Sequence, residues 1–314
     1  MKNKFNILVT GCGGDIGQSI GKILKSHPIA SHVIGCDMNE DHAGKFIFDD
    51  FVRIPSVYSN EYQASLINII QQYNVDIIIP TSEPELRFNF DHGIMDVFQN
   101  TMILSANKKA MEVGFDKLVT AQFLEAHGLP FPKTEIVAQV KNAQLPLILK
   151  SRKGSGSKSL FLVKEKDELD FYTQKFPDYI AQEFINSNND EYTCGLFRNS
   201  SGEIRTISYR RKLIGDSSGF GTVIHNKSID KLLVVIAEKL QLRGSINVQL
   251  RLLNDIPFVF EINPRFSSTV RFRHLMGFED VIWSIQDRLG LSLQPYEVPV
   301  SGRRFYRGYS EYID

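Results

Sequence analysis

Apolar runs alternate with helically spaced apolar residues over the first third of the chain. The runs are short and end at glycine, proline or a charged residue, which is typical of buried strands. The segments between them place apolar residues on one helical face. The predicted strands are Phe5–Thr10, Val33–Cys36 and Asp76–Ile79, and the predicted helices are Ile16–Lys25 and Tyr62–Gln72. Strands separated by helices predict a parallel sheet with right-handed crossovers, so we expect a doubly wound domain over residues 1–105.

After this region, strand-like runs follow one another with few helices between them. A helix is predicted over Asp116–His127, and two apolar runs then flank a glycine-containing loop over Ser151–Lys158. The later predicted elements are the strands Leu145–Lys150, Ser159–Val163, Tyr179–Ile185, Tyr192–Phe197 and Ile204–Arg210, the helix Ile229–Leu240, and the strands Ile246–Leu253 and Phe258–Asn263. Such runs of strands predict an α+β region.

Composition narrows the classes of protein to which the chain can belong. It has 314 residues, with 36 Lys+Arg against 36 Asp+Glu, so its formal net charge is zero. This balance argues against nucleic-acid and membrane-surface partners, which usually require a basic excess. A local basic pocket remains compatible with it. The length predicts about two domains.

The cysteines and the hydropathy pattern predict a cytoplasmic protein. Cys12, Cys36 and Cys194 are odd in number and scattered, which is unlike a disulfide framework, and no pair of them has the spacing of zinc ligands. No apolar run reaches the length of about 18 residues that a membrane helix needs. The segment Met1–Lys4 leads too quickly into the first glycine turn to be a signal peptide.

A glycine-rich turn follows the first predicted strand. Gly11–Gly17 leads into a helix, and Asp37 follows the second strand, an arrangement similar to the dinucleotide-binding fingerprint. The third glycine is displaced by one position, and a tight strand-to-helix turn needs glycine with or without a ligand. An NAD-dependent enzyme that uses this turn is therefore one alternative.

A polar face runs along the last predicted hairpin, which turns at Asp255. In the expected register Gln249 lies opposite Glu261, and Asn247 lies opposite Asn263. Because side chains alternate along a strand, a slip by one residue would turn Gln249 toward the apolar face, so the pattern selects this register. The residues expected together on the apolar face of the second strand are Phe258, Phe260 and Ile262.

The polar face offers oxygen ligands to a metal ion. One carboxylate, from Glu261, and the amide oxygens of Gln249 and Asn263 suit Mg²⁺, which takes its remaining ligands from water and substrate phosphates. Arg265 lies beside them, where a guanidinium can bind a phosphoryl group in transfer or an oxyanion. A solvated polar hairpin face is the alternative interpretation.

The segment Glu261-Ile262-Asn263-Pro264-Arg265 resembles the ATP-grasp superfamily, in particular the large chain of carbamoyl-phosphate synthetase and its stand-alone relatives. The resemblance extends over the whole sequence. It implies an α/β plus α+β fold, with a doubly wound N-terminal (pre-ATP-grasp) domain over residues 1–105 and a two-lobed ATP-grasp domain over residues 106–314. The glycine loop would lie in a lobe at about 113–181, and the hairpin in a lobe at about 182–314. The N-terminal domain of that family shapes the substrate site without NAD.

The same resemblance implies an ATP site. Lys117 matches a basic residue that reaches the phosphates, Lys150 matches a lysine that contacts the α- and β-phosphates, and Gly154 and Gly156 belong to a lid over them. A hinge binds adenine through its backbone, and an acid binds the ribose hydroxyls. The residues that match the hinge and this acid are Gln182, Glu183, Ile185 and Glu191.

The resemblance also implies a metal site and two catalytic residues. Gln249, Glu261 and Asn263 match the ligands of Mg²⁺, with Mn²⁺ as an alternative ion. Many relatives have a carboxylate where this chain has Gln249, a difference that bears on whether a second ion binds. Arg265 matches the arginine that stabilises the phosphorylated intermediate, and with Lys150 it is the implied catalytic pair.

The function implied is that of an ATP-dependent ligase that joins a small carboxylate to an amine through an acyl phosphate. We expect both substrates to be small molecules, and we allow for a homodimer. Arg211 and Arg271 are expected to face the carboxylate, because guanidinium groups bind carboxylates in a bidentate way. Glu83, with Thr81 and Ser82, follows a strand whose carboxyl end faces the ligand crevice. A nucleotide-binding regulatory protein without catalysis is a further alternative, although it would predict damaged metal ligands.

Overall fold

The structure is a computed structural model that describes residues 4–92, 101–141, 143–154, 160–187, 191–215, 217–308 and 310–313. Its first sheet is parallel and has five strands in the order β3-β2-β1-β4-β5. The strands are β1 (Phe5–Thr10), β2 (Ala30–Asp37), β3 (Asp50–Arg53), β4 (Ile77–Ile79) and β5 (Met102–Ile103). The helices of this part are α1 (Asp15–Lys25), α2 (Tyr62–Tyr73) and α3 (Glu83–Asp91). The predicted doubly wound region is thereby confirmed, and the short strands β3 and β5 are additions to it.

The two faces of this sheet are covered by different helices. Ile7 and Val9 of β1 pack in one core with Ile20 of α1, whereas Leu8 packs in a second core with Leu66 of α2. This division follows from the alternation of side chains along a strand. A strand buried on both faces is largely apolar, as the buried residues Ile7, Leu8 and Val9 of β1 are.

Two helices from the far end of the chain complete one of these layers. Val270 of α8 (Val270–Leu275) and Ile282 of α9 (Asp280–Arg288) belong to the same core as Ile7. The N-terminal sheet is therefore packed against the C-terminal part of the chain. Among the helices that the structure describes, none is both long enough and apolar enough to cross a membrane.

A four-stranded antiparallel sheet, in the order β6-β9-β7-β8, forms the middle of the chain. Its strands are β6 (Thr134–Ile136), β7 (Leu147–Lys150), β8 (Leu160–Val163) and β9 (Ile180–Glu183). The helices nearby in sequence are α4 (Lys108–Gly114), α5 (Lys117–Ala126) and α6 (Lys166–Lys175). The glycine loop joins β7 to β8. Residues 155–159 of it, including Gly156, lie outside the described residues.

The largest sheet has six strands in the order β14-β13-β10-β11-β12-β15. Its strands are β10 (Glu191–Arg198), β11 (Ile204–Ile214), β12 (Ser217–Val223), β13 (Gly244–Leu253), β14 (Ile256–Asn263) and β15 (Arg304–Tyr306), and α7 (Lys227–Lys239) covers one face. Two antiparallel sheets after a parallel one give the α/β plus α+β fold that the sequence predicted.

The β13–β14 hairpin has the predicted register at its polar end and a bulge further along. Gln249 pairs with Glu261 and Asn247 with Asn263, but Leu250 then pairs with Val259, which leaves Phe260 as an extra residue on β14. The expectation that Phe258 and Phe260 share an apolar face with Ile262 was therefore wrong. The bulge interrupts the alternation, so Val259 and Ile262 enter the core while Phe260 and Glu261 both line the same cavity.

Candidate active site

A cavity of about 750 Å³ lies where the three sheets meet. Its walls come from the strand ends of the N-terminal sheet, one face of the middle sheet and the polar face of the β13–β14 hairpin. The predicted site residues that line it are Glu83, Lys117, Lys150, Gly154, Gln182, Glu183, Ile185, Glu191, Arg211, Gln249, Glu261, Asn263 and Arg265. Arg271, on α8, does not line this cavity. The fold thus brings together residues that are far apart in sequence.

Lys117 connects three walls of the cavity. It is the first residue of α5, where Asp116 caps the helix by accepting from the N–H of Leu118 at 2.9 Å. The Nζ of Lys117 donates to the carbonyl oxygen of Gly154 at 2.8 Å and lies 3.7 Å from a carboxylate oxygen of Glu261. The helix start, the glycine loop and the hairpin acid are therefore held together by one ammonium group.

Lys150 ends β7 and is 8% exposed. Its Nζ donates to the carbonyl oxygen of Phe260 at 3.3 Å and lies over the Phe260 ring. Burial and, to a smaller extent, the nearby charge of Lys117 lower the pKa of Lys150 to about 8, against the opposing effect of Glu261. An anion bound beside this ammonium would stabilise the charged form that burial disfavours.

The hairpin presents an oxygen-rich surface that fits a divalent cation. Gln249 and Glu261 are paired across the strands, so their side chains leave the same face, and Asn263 follows Glu261 on β14. The side chain of Glu261 is 20% exposed, and Asn263 is buried. One carboxylate with amide oxygens suits Mg²⁺, because this ion keeps several waters and shares the phosphates of its substrate.

Arg265 lies beyond the hairpin, next to the N-terminal domain. Burial lowers the pKa of its guanidinium, and the carboxylates of Glu261, Glu83 and Asp15 oppose that effect. Its Nη1 donates to the carbonyl oxygen of Phe266 at 2.8 Å. The guanidinium thus stands between the oxygen-rich face and the acids on the opposite wall.

Arg211 and Glu83 are also engaged in ion pairs within the cavity. Arg211 donates to Glu191 at 2.5 Å and to the hydroxyl of Ser218 at 3.0 Å. Its guanidinium is therefore bonded to side chains of the protein itself. Glu83 accepts from Arg87 at 2.6 Å and from the N–H of Gly154 at 3.2 Å. The carboxylate of Glu83 therefore fastens the glycine loop to the N-terminal domain.

The hinge strand β9 is held against the start of β6. The side-chain amide of Gln182 donates to the hydroxyl of Thr134 at 2.9 Å, and the N–H of Glu183 donates to the carbonyl oxygen of Lys133 at 2.8 Å. The side-chain amide of Gln182 and the N–H of Glu183 are therefore already hydrogen-bonded within the protein and are not free to bind a nucleotide base. They also fix the position of the cavity wall that ends at Ile185.

Sequence reasoning missed a group of residues at the end of the cavity remote from β9. Asp15, the first residue of α1, lines the cavity and accepts from the hydroxyl of Ser217 at 2.8 Å. Arg307 lies 3.7 Å from Asp15 and donates to the carbonyl oxygen of Ser268 at 2.5 Å. The position of Asp15 at the helix start was a usable signal, whereas nothing in the sequence joined it to Arg307.

The glycine turn after β1 is closely packed. A Cβ atom at Gly13 would lie 2.5 Å from the ring of His42, and one at Gly17 would lie 2.4 Å from the carbonyl oxygen of Gly11. Asp37 accepts from the N–H of Gly13 at 2.9 Å. These glycines make room for the protein's own groups, so the turn has the tight geometry that requires glycine without a nucleotide.

Two family models together match most of the chain. Residues 115–269 match the model described as the ATP-grasp domain, and residues 7–92 match the one described as the PylC-like, N-terminal domain. The chain contains an ATP-grasp domain. The resemblance drawn from the sequence is thereby confirmed, as is the two-part fold.

Individual relatives agree with this assignment. The carbamoyl-phosphate synthase of Methanobrevibacter smithii is 22% identical over 157 residues, which cover 48% of this chain and 41% of the relative. The chain therefore matches about two fifths of that protein's length. This similarity links the chain to the carbamoyl-phosphate-synthase-like members of the superfamily.

Solved structures share the fold over nearly the whole chain. An N5-carboxyaminoimidazole synthetase from Staphylococcus aureus complexed with ADP has a TM-score of 0.73 at 18% identity, covering 94% of this chain and 79% of that one. An L-amino acid ligase from Bacillus licheniformis has a TM-score of 0.69 at 16% identity, covering 91% and 75%. At these identities the likeness establishes the fold alone.

Proposed function

We propose that this ATP-grasp protein is an ATP-dependent ligase that joins a small-molecule carboxylate to an amine, forming an amide or peptide bond through an acyl phosphate. The observation that carries the proposal is the convergence in one cavity of three cationic side chains and an oxygen-rich face. Lys117, Lys150 and Arg265 supply the charge, and Glu261 is the acid of that face. This combination suits a polyanion and its metal ion.

ATP would occupy the side of the cavity formed by the middle sheet. Its phosphates would lie against Lys117 and Lys150, beneath the loop that contains Gly154 and Gly156. Gln182, Glu183 and Ile185 would border adenine, and the proposed ribose acid is Glu191. The depressed pKa of Lys150 supports a phosphate partner, because an adjacent anion would stabilise this buried ammonium.

Gln249, Glu261 and Asn263 would hold Mg²⁺ or Mn²⁺, which would supply positive charge to the terminal phosphates when bound. An oxygen of the substrate carboxylate would attack the γ-phosphorus, and the bond to ADP would break. An amine would then attack the acyl carbon and release phosphate. The fixed guanidinium of Arg265 would offset the negative charge that develops where carboxylate and phosphoryl group meet.

The substrates would lie between Arg265 and the N-terminal domain. Asp15 and Ser82 line that end of the cavity and can accept hydrogen bonds from an amine. Because Glu83 is paired with Arg87 and Arg211 with Glu191, we propose that Glu83 and Arg211 position their neighbours around the substrates. An interaction of Arg271 with the carboxylate would need α8 or the substrate to move.

Specific observations argue against an NAD-dependent enzyme and against a regulatory protein without catalysis. An NAD-dependent enzyme would need room beside the glycine turn, where the ring of His42 closes on Gly13. A regulatory protein without catalysis is not expected to keep an oxygen-ligand set and the cations that face it. Both Glu261 and Lys117 are present and lie 3.7 Å apart.

An assay of ADP release tests the proposal. The full chain is incubated with Mg-ATP and pools of amino acids, sugar acids and amines, and ADP, phosphate and the condensed product are quantified. Lys150→Ala and Glu261→Ala should each lower the rate by about 100-fold or more, because each removes a fixed charge at the reacting phosphates. Lys108→Ala, at an exposed position outside the cavity, is the matched control and should keep the wild-type rate.

Two results would contradict the proposal. A wild-type rate of ADP release from Glu261→Ala would contradict the assignment of the metal site to the hairpin. ADP release that no carboxylate stimulates, together with tight NADH binding, would favour a nicotinamide enzyme instead.

A further inference from the structure

Three side chains of different ligand chemistry meet where the glycine turn faces the loop after β2. The thiol of Cys12, a carboxylate oxygen of Asp37 and a ring nitrogen of His42 all lie within 4.8 Å of one another. Thiolate, carboxylate and imidazole are all ligands of zinc, and donor atoms around one tetrahedral zinc ion lie roughly 3–4 Å apart. Small side-chain rotations would therefore bring these atoms to coordination distance. None of the three residues lines the proposed ATP cavity.

The imidazole of His42 points to a missing partner. Both of its ring nitrogens are buried, and within the described ranges of the chain neither has a hydrogen-bond partner. A neutral imidazole carries one N–H donor and one acceptor, so leaving both nitrogens buried and unpaired is unfavourable. A metal ion beside this ring would coordinate one of the two nitrogens.

The surroundings hold the ring in place. It closes on the glycine turn, where a Cβ atom at Gly13 would lie 2.5 Å from ring carbon Cδ2 and one at Gly44 would lie 2.9 Å from Nδ1. Phe51 packs edge-on against the ring at a centroid distance of 5.1 Å. The two glycines thus allow the imidazole to approach Cys12 with no side chain between them.

The carboxylate is oriented by backbone groups. Oδ2 of Asp37 accepts from the N–H of Gly13 at 2.9 Å, and Oδ1 accepts from the N–H of Asn39 at 3.0 Å. Each carboxylate oxygen has a second lone pair, which leaves capacity for a metal ion. Outer hydrogen bonds of this kind orient the ligands of metal sites.

We propose that Cys12, Asp37 and His42 form a zinc site with water as the fourth ligand. One sulfur, one nitrogen and one oxygen donor from the protein suit four-coordinate Zn²⁺ and are unlike the all-oxygen set of the hairpin. On binding, the thiol of Cys12 loses its proton to solvent and sulfur coordinates as thiolate. Asp37 is only partly buried, so water can reach the ion from the side of this carboxylate.

The site would join the turn after β1 to the loop after β2. Cys12 comes three positions before Asp15, the residue that presents a carboxylate to the ligase cavity. The proposed zinc would therefore stabilise the wall that carries Asp15, without contacting ATP or substrate.

Metal analysis of the tag-free full chain tests the zinc site. Protein exposed to Zn²⁺ and then freed of unbound metal should retain about one equivalent, measured by inductively coupled plasma mass spectrometry. The protein treated with chelator and titrated with Co²⁺ should show the near-ultraviolet absorption of a cobalt–thiolate bond and the visible bands of a four-coordinate ion. Excess Mg²⁺ should leave both signals unchanged.

Variants identify the ligands. Cys12→Ser should abolish the cobalt–thiolate absorption, and His42→Ala should weaken Co²⁺ binding by more than about tenfold. Cys194→Ser is the matched control, because that buried thiol lies in β10, in another sheet, and its loss should leave the spectrum intact. Absence of stoichiometric zinc and of the absorption in the wild-type chain would overturn the proposal, and so would persistence of the absorption in folded Cys12→Ser.

Discussion

At the scale of single residues, the cavity depends on how each charge is paired. Lys150 is a buried ammonium that donates to a backbone carbonyl, whereas Arg211 is matched by Glu191 at 2.5 Å. The sequence predicted both as site residues, but it could not predict these pairings. Glu191 and Arg211 face each other across β10 and β11 although they are 20 residues apart in sequence, and the register that pairs them depends on the turn between the strands.

The depressed pKa of Lys150 predicts a pH-dependent effect on stability. In the unfolded chain this amine titrates near 10.5, and in the folded chain its pKa is about 8. The unfolded state therefore binds more protons between these values, so this group opposes folding below about pH 8 and ceases to do so as the pH rises toward 10.5. Lys150→Met should gain on the order of 3 kcal/mol over wild type at pH 7, and the gain should shrink toward pH 10.

Urea unfolding of both proteins at several pH values measures this difference. Lys108→Met, with a side chain 79% exposed, is the control and should show a difference from wild type that does not change with pH. A Lys150→Met difference that is equally independent of pH would show that the ammonium is better solvated than the structure indicates.

At the scale of elements, the hairpin illustrates what a pattern can and cannot predict. The alternation of polar and apolar residues was sufficient to predict that Gln249 pairs with Glu261. It could not predict the bulge at Phe260, because an apolar residue is acceptable on either side of the extra position. The bulge matters to the site, since it turns Phe260 toward the cavity beside Lys150.

The end of β14 is also positioned by close contact with α4. A Cβ atom at Gly114 would lie 2.6 Å from the ring of Pro264 and 3.0 Å from the carbonyl oxygen of Ile262. Gly114→Ala should therefore displace the segment between Asn263 and Arg265, at a cost of about 1–3 kcal/mol in stability. We also expect weaker binding of Mg-ATP, although Gly114 touches neither ligand.

Calorimetric titration with Mg-ATP and thermal unfolding measure the two effects. Gly308→Ala is the matched control, because a Cβ atom there meets nothing within 4 Å. An unchanged affinity in Gly114→Ala, with the loss of stability present, would separate the packing of α4 from the geometry of the site.

At the scale of the whole molecule, a net charge of zero conceals a cavity lined by charged side chains of both signs. The 36 basic and 36 acidic residues cancel, yet the cavity gathers Lys117, Lys150 and Arg265 around a few acids. Fold class and many of the cavity residues could be predicted because they depend on local pattern and on a family resemblance. The contact between Asp15 and Arg307 could not, because it depends on how the C-terminal segment packs against the first domain.

A buried ion pair joins that C-terminal segment to the largest sheet. Arg273 and Asp280 are 0% exposed and lie 2.9 Å apart, and Asp280 also accepts from the hydroxyl of Ser245 on β13 at 2.6 Å. Removal of either charge leaves the other buried and uncompensated, so Arg273→Met and Asp280→Asn should each cost about 3–5 kcal/mol in the free energy of unfolding. The double variant should cost clearly less than the sum of the two.

Glu203→Gln, whose half-exposed carboxylate pairs with a buried arginine, should cost about 1 kcal/mol or less. Urea unfolding of the set measures the coupling, and strictly additive losses would mean that the two groups stabilise the fold through separate contacts.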